Sequence, residues 1–305
     1  MSPLDIWIPE QTAADQRASL PDGITVHELA QHGALPERLG HADMLISGFF
    51  HARAVEAIPR FDGLRVVQAL TAGVDPLVGH VPPGVILCDG SGIHDAPVAE
   101  WVVMATLAMR RNLPGQVVAQ HESTWRWSGG DDLEGATVLI VGYGSIGRAL
   151  EARLLPFGAH VLRAARHARE GVHGVEELPS LLPQADVVVI LVPLTPETQG
   201  MVDSAFLQAM RPGAVLVNAA RGPIVDSDAL LSALHDERIR AALDVTDPEP
   251  LPDGHPLWSA PGVLITPHTG GAVLRVYERG WRFAGEQVRR VMAGEPLLNV
   301  VRDGY

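Results

Sequence analysis

The chain has 305 residues, 47% hydrophobic and 19% charged, which is enough to bury large cores in two domains and excludes a disordered protein. A formal net charge of −13 gives no general attraction for nucleic acid or for an anionic membrane surface. All 23 basic residues are arginine, so neither a Schiff-base lysine nor a lysine general acid is available. The single cysteine, Cys88, excludes an internal disulfide, and its apolar neighbours Val85, Ile86 and Leu87 mark it as an inert strand residue. Asp5 and Glu10 flank a short N-terminal apolar patch, against a secretory leader, and no apolar run reaches the roughly 18 residues of a membrane span. A cytoplasmic location is expected, and no metal site is assigned.

In chain order, apolar segments at 4–8, 24–29, 44–47, 64–70 and 85–88 predict strands, with helix-like stretches such as 52–58 between them. A longer helix is predicted over 96–110. Pro97 sits near its start, where a missing N–H costs nothing, and Arg110 and Arg111 near its end suit the helix dipole. Its residues Trp101, Val102, Val103, Met104, Leu107 and Met109 make it apolar around much of its circumference, as in a buried or subunit-contact helix. Trp125 and Trp127 then fall in a polar loop. From residue 137 the alternation restarts, with strands predicted at 138–141, 160–163, 186–191, 214–218, 241–245 and 263–266. Helices at 148–155 and 226–235 separate some of them. A last helix, 274–292, carries Tyr277, Trp281 and Phe283 as core or subunit-contact residues. Six strands alternating with helices describe a doubly wound nucleotide-binding domain.

The strand at 138–141 runs into Gly142-Tyr143-Gly144-Ser145-Ile146-Gly147. In this pattern Gly142 allows a tight turn, Gly144 lets a pyrophosphate approach the backbone, and Gly147 lets helix and strand pack closely. Ligands bind beyond the carboxyl ends of parallel strands, and three more segments lie there. They are Asn218-Ala219-Ala220-Arg221-Gly222, then Asp244-Val245-Thr246-Asp247-Pro248-Glu249-Pro250, then Thr266-Pro267-His268-Thr269-Gly270-Gly271. Arg, Glu and His thus emerge from successive strand ends of one sheet.

These four motifs, in this order, resemble the D-isomer-specific 2-hydroxyacid dehydrogenase family. The likeness extends to Ala72-Gly73-Val74-Asp75, Val98-Ala99-Glu100 and Val192-Pro193-Leu194-Thr195, so it spans nearly the whole chain. It implies an α/β protein in which a Rossmann-type doubly wound domain, residues 96–274, is inserted in a smaller flavodoxin-like substrate domain, residues 1–95 with 275–305. It implies catalytic Arg221, Glu249 and His268, with Ala72, Gly73 and Val74 joining Arg221 and His268 around the substrate carboxylate. Cofactor contacts are implied at Gly142, Gly144, Ser145, Ile146, Gly147, Val192, Pro193, Ala219, Arg221, Asp244, His268 and Gly270, with Asp244 near the nicotinamide.

The chemistry suits those residue types. Hydride transfer to a 2-oxo acid leaves negative charge on the carbonyl oxygen, and an imidazole can supply the proton near neutral pH. A carboxylate beside it stabilises the imidazolium and fixes its orientation. Arg221 stays charged and can grip a carboxylate in planar geometry. Glu100 is assigned to a polar contact on its helix.

An NAD enzyme of this fold carries an acid about 20 residues past the glycines, for the ribose 2′-hydroxyl. Ala165 stands there instead, followed by Arg166 and Arg169, which would attract a 2′-phosphate. NADP is therefore the expected cofactor, with NAD the alternative. The resemblance implies reduction of a small 2-oxo acid of the glyoxylate or hydroxypyruvate class by a homodimer. A phosphoglycerate dehydrogenase-like NAD enzyme and a dinucleotide-sensing, corepressor-like binding protein are the other readings.

Overall fold

The computed structural model describes residues 3–10 and 12–302. The chain divides into two compact units, Met1–His94 with Val273–Tyr305 and Asp95–Ala272.

The first unit contains β1 (Leu4–Pro9), β2 (Ile24–Leu29), β3 (Gly40–His41), β4 (Met44–Gly48), β5 (Phe61–Asp62), β6 (Val66–Ala69) and β7 (Ile86–Cys88). Five of them form a parallel sheet in the order β2-β1-β4-β6-β7, while β3 and β5 pair separately. Without that short pair the order is 2-1-3-4-5, the flavodoxin-like arrangement. The central strands β4 and β6 are covered on both faces, and every residue of both is buried. The helix Arg275–Ala293 lays Val276, Trp281, Ala284 and Val288 against Ile6, Ile8, Met44 and Ile46. Of its aromatic residues, Trp281 is core, whereas Tyr277 is exposed and meets Phe49 edge-on at 5.0 Å.

The second unit contains β8 (Thr137–Val141), β9 (His160–Ala165), β10 (His173–Gly174), β11 (Val187–Ile190), β12 (Val215–Asn218), β13 (Arg240–Leu243) and β14 (Val263–Ile265). They form one parallel sheet in the order β10-β9-β8-β11-β12-β13-β14. This is a Rossmann-type sheet, and its order reverses between β8 and β11, where such folds bind dinucleotides. It has seven strands rather than the six predicted, because β10 is two residues long and has no apolar run to announce it.

Alternate residues feed two cores. Leu139, Val141, Val188, Ile190 and Leu216 enter one, and Val138, Ile140, Val187, Val189 and Val217 the other. On the second face lie the helices Asp95–Arg110 and Ser145–Leu154. The latter starts three residues before the predicted 148, directly after Gly144, since its first turn Ser-Ile-Gly carries no amphipathic signal of its own. The helix Asp95–Arg110 is not buried all round: Trp101, Val102 and Met109 are buried, but Met104 is half exposed. No helix among the described residues is long and apolar enough to cross a membrane.

Candidate active site

The three glycines of the β8 turn show whether this loop fits a pyrophosphate. Gly142 has φ +105°, and a Cβ there would stand 2.5 Å from the Leu191 carbonyl carbon, so only glycine can make the turn beside β11. At Gly147 a Cβ would stand 2.9 Å from the Gly142 oxygen, which is the close helix–strand contact expected. At Gly144 the same test meets nothing within 4 Å, so the backbone there borders open space at the helix N-terminus. These residues fit a dinucleotide phosphate. Ser145, the first residue of the helix, donates its hydroxyl to Asp95 at 2.9 Å. Val192 and Pro193 follow β11, and Ala219 follows β12, at the same carboxyl edge.

The next strand ends carry the acid–base residues. His268 Nδ1 lies 2.6 Å from Glu249 Oε1, and both side chains are partly open to solvent. Nε2 of His268 makes no hydrogen bond among the described residues. His268 sits at φ 53°, a left-handed conformation that side chains disfavour. Its amide donates to the carbonyls of Asp244 (2.8 Å) and Thr266 (3.0 Å), which pays for that strain.

Asp244 organises the whole loop. Buried at 4% exposure, its Oδ1 accepts from the Thr266 hydroxyl (2.6 Å) and the Thr269 amide (2.8 Å), and its Oδ2 from the Gly270 amide (2.7 Å). Three acceptor positions of the residue implied to sit near the nicotinamide are therefore already used to hold the His268 loop. Arg221 follows β12, where Asn218 ties the turn by accepting from Ala220 N and donating to Arg221 O, each at 3.0 Å. One guanidinium donor of Arg221 goes to the Ala220 carbonyl at 2.7 Å. Glu100 makes its polar contact across to another helix rather than on its own, pairing with Arg153 at 3.2 Å while largely exposed.

The residues Ala72, Gly73 and Val74 follow β6 in the other unit. Sequence reading missed what fixes them: Ser47 Oγ meets His51 Nδ1 (3.1 Å), His51 Nε2 meets Thr71 Oγ1 (2.6 Å), and Thr71 donates to the Gly73 carbonyl (2.8 Å). No motif marks this relay, since Ser47 and His51 lie on earlier segments.

Beyond β9, Arg166 and Arg169 are exposed and pair with no carboxylate among the described residues. Arg166 lies near enough to Glu197 to help hold its carboxyl below the usual range, after the larger effects of hydrogen bonds from Thr195 and from the backbone. Arg169 donates to the Tyr143 carbonyl of the glycine loop at 2.8 Å. Tyr143, Glu151 and Arg163, none predicted to have a role, form a cluster beneath it.

A family model for the D-isomer specific 2-hydroxyacid dehydrogenase NAD binding domain matches residues 103–270. The chain is 35% identical to D-3-phosphoglycerate dehydrogenase from Mycobacterium tuberculosis over 98% of its own length, and spans 59% of that relative. It is 34% identical to human glyoxylate reductase/hydroxypyruvate reductase, covering 77% of this chain and 76% of that one. A D-isomer specific 2-hydroxyacid dehydrogenase from Xanthobacter autotrophicus, solved with NADPH and MES, superposes with a TM-score of 0.83 at 32% identity, covering 100% of both chains.

Proposed function

The chain belongs to the D-isomer specific 2-hydroxyacid dehydrogenase family, and on that premise we propose that it reduces a small 2-oxo acid, of the glyoxylate or hydroxypyruvate class, with NADPH. The observation that carries this reading is the His268–Glu249 pair, 2.6 Å apart, brought together from two successive strand-end loops of the sheet that also carries the glycine turn and Arg221. The glycine turn would hold the cofactor's phosphates, and the cofactor would supply the hydride for the carbonyl carbon. His268 gives the carbonyl oxygen its proton through Nε2, because Nδ1 is held by Glu249. Glu249 keeps the ring oriented and stabilises the imidazolium. Arg221 grips the substrate carboxylate, and Ala72, Gly73 and Val74 are carried over from the family resemblance as substrate-binding residues. Ala165 in place of an acid, with Arg166 and Arg169 beyond it, supports NADPH over NADH. The solved relative with bound NADPH points the same way.

Reduction of glyoxylate and hydroxypyruvate by NADPH and NADH, compared with oxidation of 3-phosphoglycerate by NADP+ and NAD+, tests the reading. We expect kcat/KM to be highest for glyoxylate or hydroxypyruvate, with NADPH preferred by about 10–100-fold, or roughly 1.4–2.8 kcal/mol. His268→Ala should cut kcat by about 10²–10⁴-fold while leaving the NADPH dissociation constant nearly unchanged. A His268→Ala enzyme with more than half the native activity overturns the acid–base assignment. The 35% identity to a phosphoglycerate dehydrogenase makes 3-phosphoglycerate with NAD the second reading. Tight dinucleotide binding without turnover of any substrate would favour the binding-protein reading.

A further inference from the structure

Five groups around the start of the helix Ser145–Leu154 form a closed circuit that the reaction chemistry does not use. Glu151, on the second turn of that helix, is 7% exposed. Its carboxylate receives Arg163 Nε, 2.9 Å from Oε1 and 3.0 Å from Oε2, together with a second guanidinium donor, Nη2. The Tyr143 hydroxyl donates to the same carboxylate. Arg163 reaches on through Nη1 to the Gly171 carbonyl at 3.4 Å, in the turn 169–172. That turn is closed by reciprocal backbone bonds between Arg169 and Val172, of 2.9 and 2.8 Å. Arg169 returns to the glycine loop through its bond to the Tyr143 carbonyl.

The charges explain the arrangement. Two guanidinium groups share one aromatic ring, with Arg163 5.7 Å and Arg169 6.0 Å from the Tyr143 centroid. Two cations against one ring repel unless one is neutralised. Glu151 neutralises Arg163, and hydrogen bonding from Arg163 holds the Glu151 carboxyl below the usual range, so the carboxylate stays charged. Arg169 has no such partner among the described residues. It is an exposed cation pinned beside the phosphate-binding turn, a few residues past the strand-end position where an NAD enzyme would carry its ribose acid.

We propose that Tyr143, Glu151 and Arg163 are positioning residues, a brace that presents Arg169 to the 2′-phosphate of NADPH; the proposal rests on the NADPH reading above. Glu151 touches no cofactor in this scheme. It acts by cancelling the charge of Arg163, so that Arg169 can stay on the ring of Tyr143. The brace therefore sets discrimination between the two cofactors and leaves the acid–base residues alone.

Dissociation constants for NADPH and NADH, measured by calorimetric titration of the native protein, Arg169→Ala, Glu151→Gln and the double variant, test this without turnover. Arg169→Ala should weaken NADPH by about tenfold or more and NADH by less than about threefold. Glu151→Gln is isosteric and should weaken NADPH by about three- to tenfold, with NADH within about twofold, because Arg163 is left uncompensated beside Arg169. In the double variant NADPH should bind no more weakly than in Arg169→Ala alone, since the brace then has nothing to present. Tyr143→Leu removes the ring on which Arg163 and Arg169 lie, so it gives the same direction of change should Glu151→Gln fold poorly. A native preference for NADH overturns the cofactor reading and this proposal with it. A native preference for NADPH that survives Arg169→Ala, is unchanged in Glu151→Gln and Tyr143→Leu, or falls additively in the double variant overturns the brace alone.

Discussion

Asp244 and Cys88 are both buried side chains, and the protein uses them in opposite ways. Asp244 accepts three hydrogen bonds, and so sets the backbone of the His268 loop. Cys88, at the end of β7, has its thiol pushed up from 9.0 to about 12, first by burial and then by the negative charge of Asp89, against a smaller opposing hydrogen bond from Gln287. Since the thiolate is the nucleophile, native Cys88 should be inert to thiol reagents at pH 8, with labelling only as fast as the protein opens. The same shift affects stability. Below pH 9 both folded and unfolded chains keep the proton, and its contribution is fully present. Between pH 9 and about 12 the unfolded chain ionises while the folded one does not, so stability falls as pH rises through that window. Relative to Cys88→Ala, the native protein should lose about 1.4 kcal/mol more between pH 8 and pH 10 in urea denaturation. Equal losses in the two proteins would show that the burial of this thiol carries no pH-dependent stability.

At the scale of elements, the helix Arg275–Ala293 is locked to the first sheet by two amides that are both fully buried. Gln287 donates to Gln68 Oε1 (2.7 Å) and Leu298 O (3.0 Å) and accepts from Leu298 N (2.9 Å), while Gln68 donates to the carbonyls of Ala69 (2.7 Å) and Asp89 (2.9 Å). Gln287→Leu keeps the volume but strands the Leu298 amide and one acceptor of Gln68, so it should cost about 1–3 kcal/mol in chemical denaturation. A loss below about 0.5 kcal/mol would mean that water or repacking satisfies both groups. This pair also marks where sequence reading ended. The buried strands were legible because β8 and β11 to β14 are nearly continuous apolar runs. Arg221, Glu249 and His268, the proposed substrate and acid–base residues, stand out in the sequence because each follows closely after one of those runs. Gln68 and Gln287, 219 positions apart, carry no signal of their pairing. Glu151 reads as an ordinary helix carboxylate, and Arg163 as the polar residue of a strand, until the fold brings them together. Motif spacing reports what one segment does; long-range polar contacts are set by tertiary packing.

At the scale of the molecule, the second unit leaves apolar surface that a single copy does not cover. Met104 on the helix Asp95–Arg110 is half exposed, and on the helix Leu113–His121 that follows it Leu113, Val117 and Val118 are exposed to a similar degree. Trp125 and Trp127, beyond that helix, are almost wholly in solvent. Monomeric proteins scatter single apolar side chains over their surface, but a large cluster on neighbouring segments marks an interaction site. The strong negative charge of the chain disfavours a nucleic-acid or anionic-membrane partner for it. A second copy related by a two-fold axis is the commonest solution for a self-complementary patch. We therefore expect sedimentation equilibrium at micromolar concentration to give twice the chain mass of 32.6 kDa. The double variant Met104→Glu, Val117→Asp places like charges opposite one another across such an interface, where they cost several kcal/mol. It should sediment as a monomer while keeping the native far-ultraviolet circular dichroism. A native protein that sediments as a monomer would leave these side chains as isolated surface residues and remove the argument for a dimer.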